Sequence, residues 1–100
     1  MRIYGITERT PERLAELLAV WERSVRATHT FLSESEILRI RGYVPQALAA
    51  VPQLAVLAED GRLLGLLGAG EGRLEMLFLD PDARGRGLGR ALLTYGLEHY

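Results

Sequence analysis

The 100-residue sequence contains no cysteine, no lysine and no asparagine. Without cysteine there is no disulfide, no thiolate nucleophile and no cysteine-ligated zinc. Lysine's absence removes Schiff-base chemistry, and asparagine's removes N-glycosylation sequons. Histidine is scarce too: there are two, one close to the last residue, which gives no basis for a metal site. Neither sign of charge prevails, with 12 basic and 13 acidic residues for a net charge of −1. A general nucleic-acid binder would be distinctly basic. No apolar run approaches the roughly 18 residues that span a bilayer. The opening Met1-Arg2-Ile3-Tyr4-Gly5 has no apolar leader segment, so a cytoplasmic protein with no membrane partner is the expectation. What is present is a 48% hydrophobic chain of mean hydropathy +0.05. That fits one folded domain over residues 1–100 with a modest core.

The order of elements can be read from periodicity and punctuation. Ile3 to Ile6 is a short strand. Thr10-Pro11-Glu12 supplies an N-cap, a proline at the first helical position and an acid in the first turn. Leu14, Leu17, Leu18, Trp21 and Val25 then follow at helical spacing, giving a helix over 11–27 with Trp21 and the leucines as core. Thr28 to Leu32 is a break, and Ser33-Glu34-Ser35-Glu36 is a capping box. The second helix carries Ile37, Ile40, Val44 and Leu48; Gly42 weakens it, and Pro45 should end or kink it or restart a short turn through Ala50. Leu54–Ala58 and Leu63–Leu67 are apolar runs around Glu59-Asp60-Gly61-Arg62, a hairpin signal. Leucine is not a favoured strand residue, so the turn and the short length decide that assignment. Ala69-Gly70-Glu71-Gly72 reads as a loose connection to a third strand, Arg73 to Leu79, which Asp80-Pro81 stops. A helix over 88–100 completes the order: strand, two helices, antiparallel meander, helix.

Between the last strand and the last helix lies Arg84-Gly85-Arg86-Gly87-Leu88-Gly89-Arg90. Alternating glycines do not fill a core. They strip side chains from a turn, so that successive backbone N–H groups can face one ligand. A helix starting inside such a turn adds its own unpaired amides and its positive end, which favours a phosphate-bearing anion. A P-loop would require a lysine followed by Ser or Thr after the last glycine. A dinucleotide site would require G-x-G-x-x-G in a parallel βαβ unit, with an acid about twenty residues on. Neither pattern is met. Ser24, Ser33 and Ser35 have no nucleophile-elbow context.

The string from Leu77 through Asp80-Pro81 and Arg84-Gly85-Arg86-Gly87-Leu88-Gly89-Arg90 to Leu93 resembles the coenzyme-binding motif of the GNAT superfamily of acetyl-CoA-dependent N-acetyltransferases. That motif has the form R/Q-x-x-G-x-G/A, matched by Arg84, Gly87 and Gly89. The element order is similar along the whole chain, and Ala27-Thr28-His29-Thr30-Phe31-Leu32 looks like the junction between the first two helices of small bacterial members. The resemblance implies an α/β fold (α+β, with a mixed sheet), of which this chain would be the N-terminal two-thirds, truncated after the coenzyme-binding helix. It also implies acetyl-CoA as co-substrate, no metal, and transfer of acetyl to an amine. The pyrophosphate would lie on amides from Arg84, Gly85, Arg86, Gly87, Leu88, Gly89 and Arg90. The pantetheine arm would run along Leu77, Phe78 and Leu79, as a ligand adding to a strand.

Two residues stand as candidates for the acceptor side. His29, at the helix junction, is either a local cap or an acceptor-site residue. Glu75, in mid-strand, is either an exposed charge or the base that deprotonates the amine, a position at which some family members carry an acid. The family's later strands, which commonly supply a tyrosine acid and a wall of the cleft, have no counterpart in the sequence. Tyr95 and Tyr100 lie on the coenzyme-binding helix and do not match that tyrosine. The strand Arg73 to Leu79 would then be an open, leucine-rich edge, from which self-association is expected. The rival to an active enzyme is a catalytically silent acyl-CoA-binding module, or an interaction fragment completed by oligomerisation.

Overall fold

In the computed structural model, which describes residues 1–28 and 31–100, the punctuation in the sequence falls where the elements begin and end. Strand β1 (Arg2–Ile6) leads to α1 (Pro11–Thr28), α2 (Glu34–Arg41) and α3 (Val44–Ala50). Strands β2 (Gln53–Glu59), β3 (Arg62–Gly70) and β4 (Arg73–Leu79) follow, then a 3₁₀ turn at Pro81–Ala83 and α4 (Leu88–His99). Thr10 opens α1 by accepting the Arg13 N–H at 3.1 Å. Ser33 opens α2 with both halves of the capping box, its hydroxyl accepting from Glu36 N and the Glu36 carboxylate accepting from Ser33 N. The second helical pattern is divided in two. Pro45 has no N–H to give to residue 41, so α2 stops at Arg41, and α3 restarts with Pro45 in its first turn, where no bond is lost.

The sheet order is β1-β2-β3-β4. All three pairings are antiparallel; the parallel pair that a mixed sheet requires is not among the described residues. Both hairpins are two-residue turns with two positive φ angles, Asp60 (54°) with Gly61 (76°) and Glu71 (53°) with Gly72 (74°). This geometry matches strand twist. The second of them corrects the loose connection expected at Ala69–Gly72: β3 runs on to Gly70, and Glu71-Gly72 turns as tightly as Asp60-Gly61.

Helices on both faces of the sheet explain the leucine runs. On one face Leu54, Val56 and Leu66 pack with Leu17 and Val20 of α1 and Leu48 of α3. On the other, Ala55, Leu57, Leu64 and Leu67 pack with Leu88 and Leu92 of α4. A strand buried on both faces has no polar side to alternate with, and β3 is buried from Leu63 to Gly70. Strand β4 lies at the sheet's end, with no strand on its far side among the described residues. Its register against β3 slips by one residue: Gly68 faces Met76 and Ala69 faces Leu74. Glu75 is therefore the extra residue of a β-bulge.

Candidate functional site

The site is built at the point where β4 hands the chain to α4. Asp80, the first residue past the strand, is 1% exposed. Its N–H donates to the Leu64 carbonyl at 2.8 Å, and its carboxylate accepts the Asp82 N–H at 2.9 Å, capping the 3₁₀ turn. The same carboxylate accepts from Arg23 of α1, and from Arg62 of β3 at 3.1 Å. Burial pushes the Asp80 carboxyl up. The Asp82 amide and the two guanidinium groups outweigh that and hold it below its ordinary value. Arg62 also donates to Asp82 at 3.0 Å. The turn is thus gripped from a helix and from a strand before it reaches the glycines.

From there the backbone opens. The Arg84 N–H still closes on Pro81 O at 3.1 Å, and the Ala91 N–H closes on Gly87 O at 3.1 Å. Between them, the six amides from Gly85 to Arg90 meet no acceptor among the described residues. Gly85 (φ 74°) and Gly87 (φ 72°) are left-handed, and a Cβ added at either would find nothing within 4 Å. Gly89 serves differently. Its Cβ would lie 2.7 Å from Leu79 Cδ1, so its bareness lets the head of α4 sit against the end of β4. The result is a shallow cradle of unpaired N–H groups at a helix N-terminus with open space above it, which fits a phosphate group.

The three arginines of the motif do three different things. Arg84 folds back toward the carbonyls of Ser24 and Leu79, each at 3.5 Å, the outer limit of a hydrogen bond. Arg86 clamps Glu59 through two bonds of 3.0 and 2.6 Å, which holds the Glu59 carboxyl below its ordinary value. Arg90 is exposed and makes no ion pair among the described residues. Leu88 is buried beneath the turn, so it contributes its amide and not its side chain. In β4, Leu77 and Leu79 face α4, whereas Phe78 packs under α1 and α2 near Trp21, Val25 and Ile37. Only the backbone of Phe78 is available along the open edge.

Of the two acceptor-side candidates, His29 lies outside the described residues. Glu75 is exposed on its bulge, four residues before Leu79. Simple alternation puts it on the face of Leu77 and Leu79. The bulge instead brings it beside Met76, at an open depression bordered by Ala50, Val51, Pro52 and Glu71. Tyr95 and Tyr100 close the second core: their rings meet edge to face at 6.1 Å, and the Tyr100 hydroxyl lies 3.4 Å from Leu54 O. Burial raises the Tyr100 hydroxyl's pKa. Near the helix junction, Arg26 bridges Glu22 and Glu34, and Arg41 returns to Glu22, tying α1 to α2. In the sequence Asp80 reads as a strand stop, and nothing marks Arg23, Arg62 or Glu59 as part of the site. Asp-Pro-Asp carries a cap signal, but partners 18 and 57 residues away leave no local trace.

A family model described as "Acetyltransferase (GNAT) domain" matches residues 23–100. The chain is 34% identical over 96 residues to "Peptidyl-lysine N-acetyltransferase YjaB" of Escherichia coli, covering 96% of this chain and 65% of that protein. The solution structure of apo-form YjaB from Escherichia coli aligns with a TM-score of 0.80 at 35% identity, over 98% of this chain and 66% of that one. A GNAT family acetyltransferase from Brucella melitensis, solved in complex with acetyl-CoA, shares the fold with a TM-score of 0.65 at 24% identity, over 97% and 67%. The chain thus spans about 65% of the length of the curated relative it matches. With a matching domain over 23–100, a shared strand and helix order and the glycine turn at the head of α4, the chain belongs to the GNAT acetyltransferase family.

Proposed function

We propose that this chain binds acetyl-CoA at the turn from Arg84 to Arg90 and transfers the acetyl group to a primary amine, the lysine side chain of a peptide being the acceptor class. One observation carries the reading: six consecutive amides with no hydrogen-bond acceptor among the described residues, over two left-handed glycines, at the start of α4. Each contact of an anion with a helix N-terminus contributes roughly 0.3–1 kcal/mol, and up to about 2 when partly buried. Several such contacts suffice to anchor a pyrophosphate, with Arg90 nearby as an exposed cation that makes no ion pair among the described residues. The open edge of β4 leaves backbone groups of Leu77, Phe78 and Leu79 to receive the pantetheine arm. The acceptor is inferred from the printed name of the E. coli relative.

When bound, acetyl-CoA supplies an activated thioester carbonyl. The chain's own part is mostly to hold two reactants together, which is worth up to about 7–11 kcal/mol. Glu75, lifted out of register by its bulge and exposed, accepts the proton of the incoming amine in this reading. His29 is assigned to the acceptor rim. A second reading, a silent acyl-CoA-binding module, has one observation in its favour: Tyr95 and Tyr100 are packed into the core against the sheet, and the Tyr100 hydroxyl lies 3.4 Å from Leu54 O. That edge, with Leu74 53% exposed, also supports self-association through Arg73–Leu79.

Thiol release from acetyl-CoA tests the proposal, and the chain's lack of cysteine leaves no protein background. Release that requires a lysine peptide and disappears in Gly87→Glu supports transfer. Coenzyme binding without release would assign the silent module instead.

A further inference from the structure

We propose that Asp80 is the positioning residue of the anion turn: through Arg23 of α1, Arg62 of β3 and the Asp82 amide, it sets the direction in which the N–H groups of Gly85 to Arg90 point. The inference rests on the reading of that turn as the coenzyme site. A buried carboxylate stands only a few residues before a cradle meant for an anion, and it is one of the two polar residues in the described core, with Ser24. By charge alone, Asp80 opposes the ligand. It also occupies two guanidinium groups that would otherwise raise the local positive potential.

The backbone around it shows what the carboxylate does. Asp80 N–H extends the β3–β4 ladder by one bond to Leu64 O. The Ala83 and Arg84 amides close on the carbonyls of Asp80 and Pro81 at 2.9 and 3.1 Å. Asp80 thus caps the 3₁₀ turn from its start, while Arg62 grips both Asp80 and Asp82. The chain is fixed from Leu79 to Arg84, and freedom begins only at Gly85. Glycine turns do not aim themselves, because their conformational range is wide. A ligand-binding amide needs its support held to within a fraction of an ångström. The two arginines reach Asp80 from separate elements, α1 and the β2–β3 hairpin, so the turn's position is referred to the body of the fold on two sides.

Asp80→Asn separates positioning from electrostatics because the two predict opposite signs. Removing the negative charge and releasing two arginines tightens anion binding if charge decides. If positioning decides, binding of coenzyme A and of inorganic pyrophosphate weakens at least about tenfold, as a small misplacement of a bound group does. In the ligand-free protein, positioning also requires the amide ¹⁵N–¹H signals of Gly85, Gly87 and Gly89 to move while those of β2 and β3 stay in place. An Asp80→Asn protein that is folded, has unmoved glycine signals and binds coenzyme A as tightly as the parent or more tightly overturns the proposal. Should the parent bind no coenzyme A, the coenzyme reading fails. The ligand-free glycine signals then decide the proposal alone: displacement upholds it and constancy overturns it. Should Asp80→Asn not fold, Arg62→Met, at a half-exposed position and with the Arg23–Asp80 bond left intact, takes its place on the ligand-free glycine signals alone, because its lost positive charge weakens anion binding under either account: displaced signals uphold the proposal and unmoved signals overturn it.

Discussion

Gly87→Ala is the most informative single change, provided that it is compared with Gly72→Ala. The two glycines have nearly the same left-handed φ, 72° and 74°. An added Cβ meets nothing within 4 Å at either. Each alanine therefore incurs backbone strain without a clash, about 1–2 kcal/mol for an L-residue held in this region. In a domain of this size 1 kcal/mol shifts Tm by about 4–8 °C, so both variants should melt lower by similar amounts. They differ in place. Gly72 turns the β3–β4 hairpin, and the seven residues of β4, at about 3.3 Å each, separate it from the coenzyme turn. Acetyl-CoA at one hundred times its Kd stabilises a native-state binder by about 2.7 kcal/mol, a Tm gain on the order of 10–20 °C. Thermal melts with and without acetyl-CoA should show that gain intact in Gly72→Ala and mostly lost in Gly87→Ala. An equal gain in both variants would refute the assignment of the turn.

Four further outcomes follow from the packing and the charges. Gly96→Leu should lower stability by about 1–3 kcal/mol in urea titrations, because its Cβ already meets Leu67 Cδ1 at 2.8 Å. Ser33→Ala removes the hydroxyl half of the α2 capping box and should cost about 1 kcal/mol, read as a lower urea midpoint with an unchanged slope. Asp80 and Glu22 both have carboxyl pKa values held below the ordinary ones: at Asp80 the Asp82 amide and two arginines outweigh burial, and at Glu22 Arg26 and Arg41 do. Below those ordinary values, near 4, the unfolded chain binds more protons than the folded one. Their contribution is complete at neutral pH and is lost as pH falls through the lowered folded values. Tm measured between pH 7 and 3 should fall on the acid side, less steeply in Asp80→Asn. Glu59→Gln should release Arg86 into the coenzyme turn and strengthen coenzyme A binding at low salt, an effect that calorimetry should see vanish as ionic strength rises.

Local chemistry made most of the elements legible. Thr10-Pro11, the Ser33 capping box and Asp60-Gly61 each act through neighbours within a few residues, and each appears as read. The glycine turn was legible for the same reason, since bare backbone at a helix start has few other uses. Three features were not, and all are non-local. The division at Pro45 depends on whether α3 finds a core, which Leu48 settles by packing against α1 and the sheet. The bulge at Glu75 arises from register between β3 and β4, a property of two strands that neither reveals alone. The Asp80 network joins residues from α1, β3 and the turn that are far apart in sequence.

Titration of ¹⁵N-labelled protein with coenzyme A, followed amide by amide, shows whether the turn from Arg84 to Arg90 receives the coenzyme. The largest displacements should fall on Gly85, Gly87 and Gly89 and the amides between them, with smaller ones on Leu77, Phe78 and Leu79. Displacements confined to α2 and α3, or none at concentrations that saturate coenzyme-binding enzymes, would contradict that assignment.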